Sequence, residues 1–165
     1  MPAHEHKQHA RANLNVGIVS ASDTRTLETD KSGLLVRQML EAAGHRVGFH
    51  QVVPDDRDRI ASVISTNLGG LDAMIITGGT GIAPRDCTIE ALTPLLDKEM
   101  PGFGELFRTL SYEEIGSAAF LSRAMAGISA GKFVAALPGS TAGCRLAMEK
   151  LIIPELGHIA FLLQS

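Results

Sequence analysis

The residues with the clearest chemical potential lie in one stretch, Thr77-Gly78-Gly79-Thr80-Gly81-Ile82-Ala83-Pro84-Arg85-Asp86-Cys87-Thr88. Three glycines within four residues let backbone N–H groups converge on an anion with no Cβ in the way. Phosphate is the natural guest. Arg85 and Asp86 follow closely, and a second acid, Asp55, stands in Val53-Pro54-Asp55-Asp56, so both signs of charge flank the candidate site. Two strand-end carboxylates can serve as hard oxygen ligands for Mg²⁺, the ion that accompanies nucleoside triphosphates and neutralises charge during phosphoryl transfer. A structural glycine turn beside a solvated salt bridge is the competing explanation. Two familiar nucleotide fingerprints fail here. The loop has no Lys for a P-loop, and the dinucleotide pattern meets Pro84 at its third glycine position.

Two further segments could contact a ligand. The polar loop Ser20-Ala21-Ser22-Asp23-Thr24 closes a first apolar run, and Leu137-Pro138-Gly139-Ser140-Thr141 places a Gly-Ser turn at a helix start, where free N–H groups meet the positive dipole end. A plain N-cap explains the second equally well. Met100 to Arg108 and Leu121-Ser122-Arg123-Ala124 carry side chains that can reach a ligand or simply pack. His45, His50 and His158 are scattered without a partner at metal or triad spacing and read as surface or capping residues. Gly127-Ile128-Ser129-Ala130-Gly131 has G-x-S-x-G spacing, but it falls between the two runs of an expected hairpin rather than at a strand-to-helix turn, which leaves serine hydrolase chemistry unsupported.

The elements that position these loops follow from hydrophobic period. Leu14 to Ser20, Arg46 to Val53 and Asp72 to Thr77 are short apolar runs that read as strands. Between them, Leu34 to Ala43 and Ile60 to Leu68 carry helical stripes that end at glycine. Such alternation implies βαβ units, hence a three-layer α/β/α sandwich with a mostly parallel sheet. Its ligands collect beyond the strand C-termini, where the loops described above lie. Helices are expected at Thr88 to Leu96 and Gly102 to Leu110, then a small antiparallel hairpin from Ser122 to Ile128 and Lys132 to Leu137. One helix then starts after Pro138-Gly139-Ser140 and a last one at Pro154.

Composition agrees with a single domain over residues 14–165, preceded by a flexible tail over 1–13. The 165 residues are 45% apolar and 20% charged, and a chain of this size buries roughly 68–70% of its unfolded surface without help from disulfides. Fifteen basic against eighteen acidic residues give a net charge of -3, with one Tyr and no Trp. Nucleic acid is therefore not an expected partner. Cys87 and Cys144 read as ordinary reduced thiols. His4, His6 and His9 fall in the tail, where no fixed geometry selects a metal. No apolar run reaches the ~20 residues of a membrane span, so a cytoplasmic protein is expected.

Taken in order, ITGGTGIAPRDCT (Ile76 to Thr88), MPGFGELFR (Met100 to Arg108), LSRAMAG (Leu121 to Gly127) and ALPGS (Ala136 to Ser140) resemble the molybdenum cofactor biosynthesis family. More narrowly, the chain resembles its molybdopterin adenylyltransferase domain, in the protein B branch, from Asn15 to Leu163. The resemblance implies a three-layer α/β fold and a homotrimer or homohexamer. It also implies transfer of AMP from ATP, with Mg²⁺, onto the terminal phosphate of molybdopterin, releasing pyrophosphate. Partners would then be molybdopterin, ATP and other enzymes of that pathway. By position, Asp55 and Asp86 match the family's two important acids, expected to be catalytic and to hold Mg²⁺. Thr77, Gly78, Gly79, Thr80, Gly81, Arg85 and Thr88 would serve the phosphates and nucleotide. Ser22, Asp23, Ser122, Arg123, Pro138, Gly139 and Ser140 would serve the pterin. Arg85, Asp86 and Thr88 all stand where silent relatives are altered, which favours an active enzyme, while the turn carries Ser140 where the adenylyltransferase branch often has Asn. A module that holds molybdopterin without adenylylating it is the alternative.

Overall fold

The computed structural model describes residues 9–165. Six strands form one sheet in the order β2-β1-β3-β6-β5-β4. They are β1 (Asn15–Ala21), β2 (Arg46–Val53), β3 (Ala73–Thr77), β4 (Lys98–Glu99), β5 (Met125–Ser129) and β6 (Lys132–Leu137). The pairs β1/β2, β1/β3 and β3/β6 are parallel, while β5 runs antiparallel to both β6 and β4. The expected hairpin is thus part of the main sheet, and its second strand lies beside β3 near the centre.

The central strands β1, β3 and β6 bury both faces, as parallel strands under helices must, while the edge strands β2 and β4 are largely open. Ile18, Ala73, Ile75, Ala135 and Leu137 face one core, shared with α1 (Lys31–Ala42), α4 (Pro101–Ile115), α5 (Thr141–Ala147) and α6 (Ile153–Leu162). Val19, Met74, Ile76, Val134 and Ala136 face the other, covered by α2 (Arg57–Asn67) and α3 (Thr88–Leu92). This period-two division makes the three layers.

Helix starts follow the capping chemistry of the sequence. Asp30 accepts from Gly33 N at 3.0 Å, Asp56 from Arg59 N at 2.9 Å and Ser140 from Gly143 N at 3.1 Å. Several boundaries differ from the sequence reading: the helix expected over Gly102 to Leu110 runs on to Ile115, the one expected over Thr88 to Leu96 is α-helical only to Leu92, and the short β4 was not expected. The first strand of the hairpin begins at Met125 rather than Ser122, because Arg123 N donates to Thr80 O at 2.9 Å and draws this segment out of the ladder. The last two expected helices are continuous, joined by a π turn over Met148–Ile152. Pro154 supplies the reason: it has no N–H, and its ring displaces the carbonyl four residues earlier.

Of the expected flexible tail, residues 1–8 lie outside the described residues. Residues 9–13 are held to the body, with Arg11 N donating to Gly157 O at 3.0 Å and the Arg11 guanidinium pairing with Asp72 at 3.1 Å. Cys87 and Cys144 are free thiols, half-buried and buried respectively. No helix among the described residues is long and apolar enough to cross a membrane.

Candidate functional site

Four loops meet beyond the C-terminal ends of β1, β2, β3 and β6. The loop after β1 is fastened to its neighbour where Ser22 N donates to Val53 O at 2.8 Å, and it is folded on itself where Ser22 Oγ accepts from Arg25 N at 3.1 Å. Asp55 N donates to Asp23 Oδ1 at 3.0 Å and ties the loop after β2 to the same place.

After β3 the chain turns through Gly78 at φ 86° and Gly79 at φ 69°. A Cβ on Gly78 would strike the Ala21 carbonyl oxygen, and one on Gly79 would strike Thr88 Oγ1, so both the left-handed backbone and the close packing demand glycine. Thr88 is fully buried and holds this loop, its hydroxyl donating to Gly78 O at 2.7 Å and its N–H to Gly79 O at 3.1 Å. Arg123 braces the other end through Nε to Gly81 O at 2.9 Å.

The result is a cleft of about 470 Å³, into which ten of the expected site residues open. These are Ser22, Asp55, Gly78, Gly79, Thr80, Gly81, Asp86, Ser122, Pro138 and Gly139. The other expected residues support its walls. Thr77 is buried and donates to Ser20 Oγ at 3.1 Å, and Thr88 fastens the glycine loop. Arg85 forks onto Asp23 with bonds of 2.9 and 2.8 Å, Arg123 pairs with Glu90, and Ser140 caps α5. A second hollow of about 510 Å³ adjoins the cleft at Ser122, lined by residues of α4 and β5 that include Arg108 and Met125.

Thr24 of the expected polar loop also lines the cleft, while sequence reasoning missed Arg25 beside it and the group beneath it. Asp30 has no exposed surface. Ser20 Oγ donates to its carboxylate, Gly33 N donates at 3.0 Å, and His50 Nε2 lies at 3.1 Å. His50 is therefore not a surface residue, since its side chain is 4% exposed and faces this carboxylate. The adjoining helix holds the turn after β6, with Ser32 Oγ donating to Gly139 O at 2.6 Å. The Cys144 thiol adds a bond to Pro138 O at 3.1 Å, and its burial pushes it up to about 12, so it stays protonated.

The acids of the site differ in character. The Arg85 guanidinium, helped by the Asp55 N–H, holds Asp23 below the usual carboxylate range. Asp55 is pushed up, first by burial and then by the negative charge of Asp23 and, more weakly, of Asp86. Burial also pushes Asp30 up, but hydrogen bonds from His50, Ser20 and Gly33 outweigh it and hold that carboxyl low. The cleft thus concentrates carboxylate charge around Asp55.

Among the described residues, no group of three or more His, Cys, Asp or Glu converges as a metal cage. Two carboxylates are nevertheless the donor set that Mg²⁺ takes when phosphates and waters complete its shell. Asp55 and Asp86 fit that demand, because charge crowding at Asp55 is relieved by a cation.

An α/β domain with a glycine-lined, acid-bordered cleft at its strand ends is the class these features define. A family model described as a probable molybdopterin binding domain matches residues 17–158. The molybdenum cofactor biosynthesis protein B of Bacillus subtilis is 51% identical over 96% of this chain and 95% of its own, and that of Halalkalibacterium halodurans is 50% identical over the same shares. A crystal structure of a tungsten cofactor synthesizing protein from Pyrococcus furiosus superposes with a TM-score of 0.85 at 36% identity, covering 94% of this chain and all of that one. The chain belongs to the molybdopterin-binding domain family of molybdenum cofactor biosynthesis.

Proposed function

We propose that, within molybdenum cofactor biosynthesis, this protein adenylylates molybdopterin: it joins the AMP of ATP to the pterin's terminal phosphate and releases pyrophosphate. The observation that carries this reading is the backbone cradle of Gly78 to Gly81 bordered by the carboxylates of Asp55 and Asp86 in one cleft. A glycine cradle suits phosphates, and paired acids suit the cation that travels with a triphosphate.

The reaction needs no general base. The attacking oxygen belongs to a phosphate monoester whose second proton is lost near pH 6, so it is ionised at neutral pH. It attacks the α-phosphorus of ATP as the bond to the β-phosphate oxygen breaks, and pyrophosphate departs with that bonding pair. The obstacle is one anion approaching another. The protein therefore contributes alignment and fixed charge, which are large terms in catalysis. Gly78, Gly79 and Gly81 keep their backbone close to the phosphates, and Thr88 and Arg123 keep that loop rigid. Asp55 and Asp86 would hold Mg²⁺, whose chemistry there is to neutralise the charge that builds on the triphosphate.

The test is pyrophosphate release with mass detection of adenylyl-molybdopterin from purified protein, molybdopterin, ATP and Mg²⁺, run beside Asp86→Asn. Asp86 Oδ2 accepts from Ala83 N at 2.9 Å, a bond the Asn oxygen can keep. The variant is therefore expected to fold while turnover falls by about 10²–10³, the scale of losing one electrostatic stabiliser. A fully active variant overturns the role given to Asp86. Retention of molybdopterin with no product from the wild type shifts the reading to a pterin-holding module.

A further inference from the structure

Three guanidinium groups surround the cleft, and two of them are committed to carboxylates outside it. Arg85 is forked onto Asp23 with its side chain 67% exposed, and Arg123 is paired with Glu90. The third, Arg25, lines the cleft and is the one Lys or Arg among the described residues that do so. Its Nη1 donates to Gly139 O at 3.2 Å and stands 3.9 Å from the buried carboxylate of Asp30. The side chain therefore reaches from the loop after β1 to the turn after β6, and β3 lies between those two strands in the sheet. A guanidinium has five N–H donors. Only one is spent on Gly139 O among the described residues, which leaves donors for a fork onto two oxygens of one phosphate.

The side chains that line the two ends of the cleft carry opposite charge, with the buried Asp30 carboxylate behind Arg25 rather than in the cleft. Asp55 and Asp86 border Gly79 and Gly81, since a Cβ on those glycines would lie 3.4 Å from Asp55 Oδ1 and 2.7 Å from Asp86 Oδ2. Arg25 borders Gly78 through Gly139, whose own Cβ would lie 3.4 Å from Gly78 Cα. A triphosphate that brings Mg²⁺ suits the acidic end. A second anion without a metal of its own needs the cation.

We propose that Arg25 receives the terminal phosphate monoester of the pterin, the attacking group, and so fixes which anion sits at each end of the cleft. This rests on the adenylyltransferase reading for its chemistry, but its test does not require turnover. Equilibrium binding of molybdopterin and of Mg-ATP is measured separately on the full chain, for the wild type, Arg25→Met and Arg25→Lys, with circular dichroism and Tm as the fold control. Loss of a charge-assisted fork is expected to weaken molybdopterin about ten- to a hundredfold in Arg25→Met. The salt dependence of pterin binding should flatten, and Mg-ATP affinity should be unchanged. Arg25→Lys keeps the charge without the fork and should recover part of the loss, and it carries the test alone if Arg25→Met does not fold. Weakened Mg-ATP with intact pterin binding overturns the proposal, and so does indifference of both. If the wild type makes no adenylylated product yet its pterin affinity depends on Arg25, the adenylyltransferase reading fails and this inference stands. Product formation with pterin affinity indifferent to Arg25 gives the reverse.

Discussion

Asp55 pays for its position, and that cost is measurable. Burial, then the charges of Asp23 and Asp86, hold its carboxyl above the value it has in an unfolded chain. The folded state therefore holds the proton more tightly than the unfolded state does. Below the unfolded pKa both states are protonated and nothing is lost. As pH rises through the folded pKa, the charge must sit in the cleft, and stability falls. Asp55→Asn removes that charge, so its Tm should exceed the wild type's at pH 7, and the two should converge near pH 3. Adenylyl transfer should fall in the same variant, as expected where function keeps a destabilised group. A variant less stable at pH 7 than the wild type would contradict the charge argument. Asp55 and Asp86 were legible in the sequence because acids beside turn residues at strand ends stand out. Asp30 was not, because its partners Ser20 and His50 are ten and twenty residues away and nothing local separates a buried N-cap from an exposed one.

The β5–β6 turn shows which features of an element a sequence carries. Two short apolar runs flanking Ser129-Ala130-Gly131 were enough to read a hairpin, and the structure pairs Ser129 with Lys132. Its central residues, Ala130 and Gly131, have φ of 48° and 74°, the left-handed pair that a tight hairpin needs. Gly131 adopts this freely, whereas Ala130 has a Cβ that crowds its carbonyl. Ala130→Asn should therefore stabilise the protein by about 0.5–1 kcal/mol, since Asn tolerates this region and the Ala130 N–H bond to Asp97 is retained. Differential scanning calorimetry should show a rise of about 1–4 °C, and a fall would mean that the turn relaxes differently in solution. The start of β5 was less legible. Ser122 to Ala124 holds no Gly or Pro that would stop the strand, but a backbone bond from Arg123 to the glycine loop takes precedence, and a bond between distant segments leaves no local pattern.

At the scale of the molecule, parallel strands with two covered faces predicted the layers, but the outer surface of α4 did not declare itself. Phe107 is 1% exposed, yet Leu106 is 56%, Tyr112 63% and Ile115 57% exposed, and Phe120 just beyond is 76% exposed. In the sequence these apolar residues look alike, so periodicity alone could not separate core from contact surface, and only the family resemblance suggested assembly. Several large apolar side chains on one helix and its following turn are what a second copy would cover. Leu121 extends this surface to the cleft, which it lines. Sedimentation equilibrium should accordingly give the mass of three or six 17.5 kDa chains. Tyr112→Asp combined with Ile115→Asp should move the mass toward one chain, because two carboxylates would be buried unpaired in the contact. Far-ultraviolet circular dichroism should stay unchanged, since both side chains are outside the core. A wild-type monomer would refute the assembly, and a double variant that assembles as the wild type does would place the contact elsewhere. If the assembly falls apart and pterin affinity falls with it, the neighbouring copy also orders the cleft, through the segment that runs from Phe120 to Ser122.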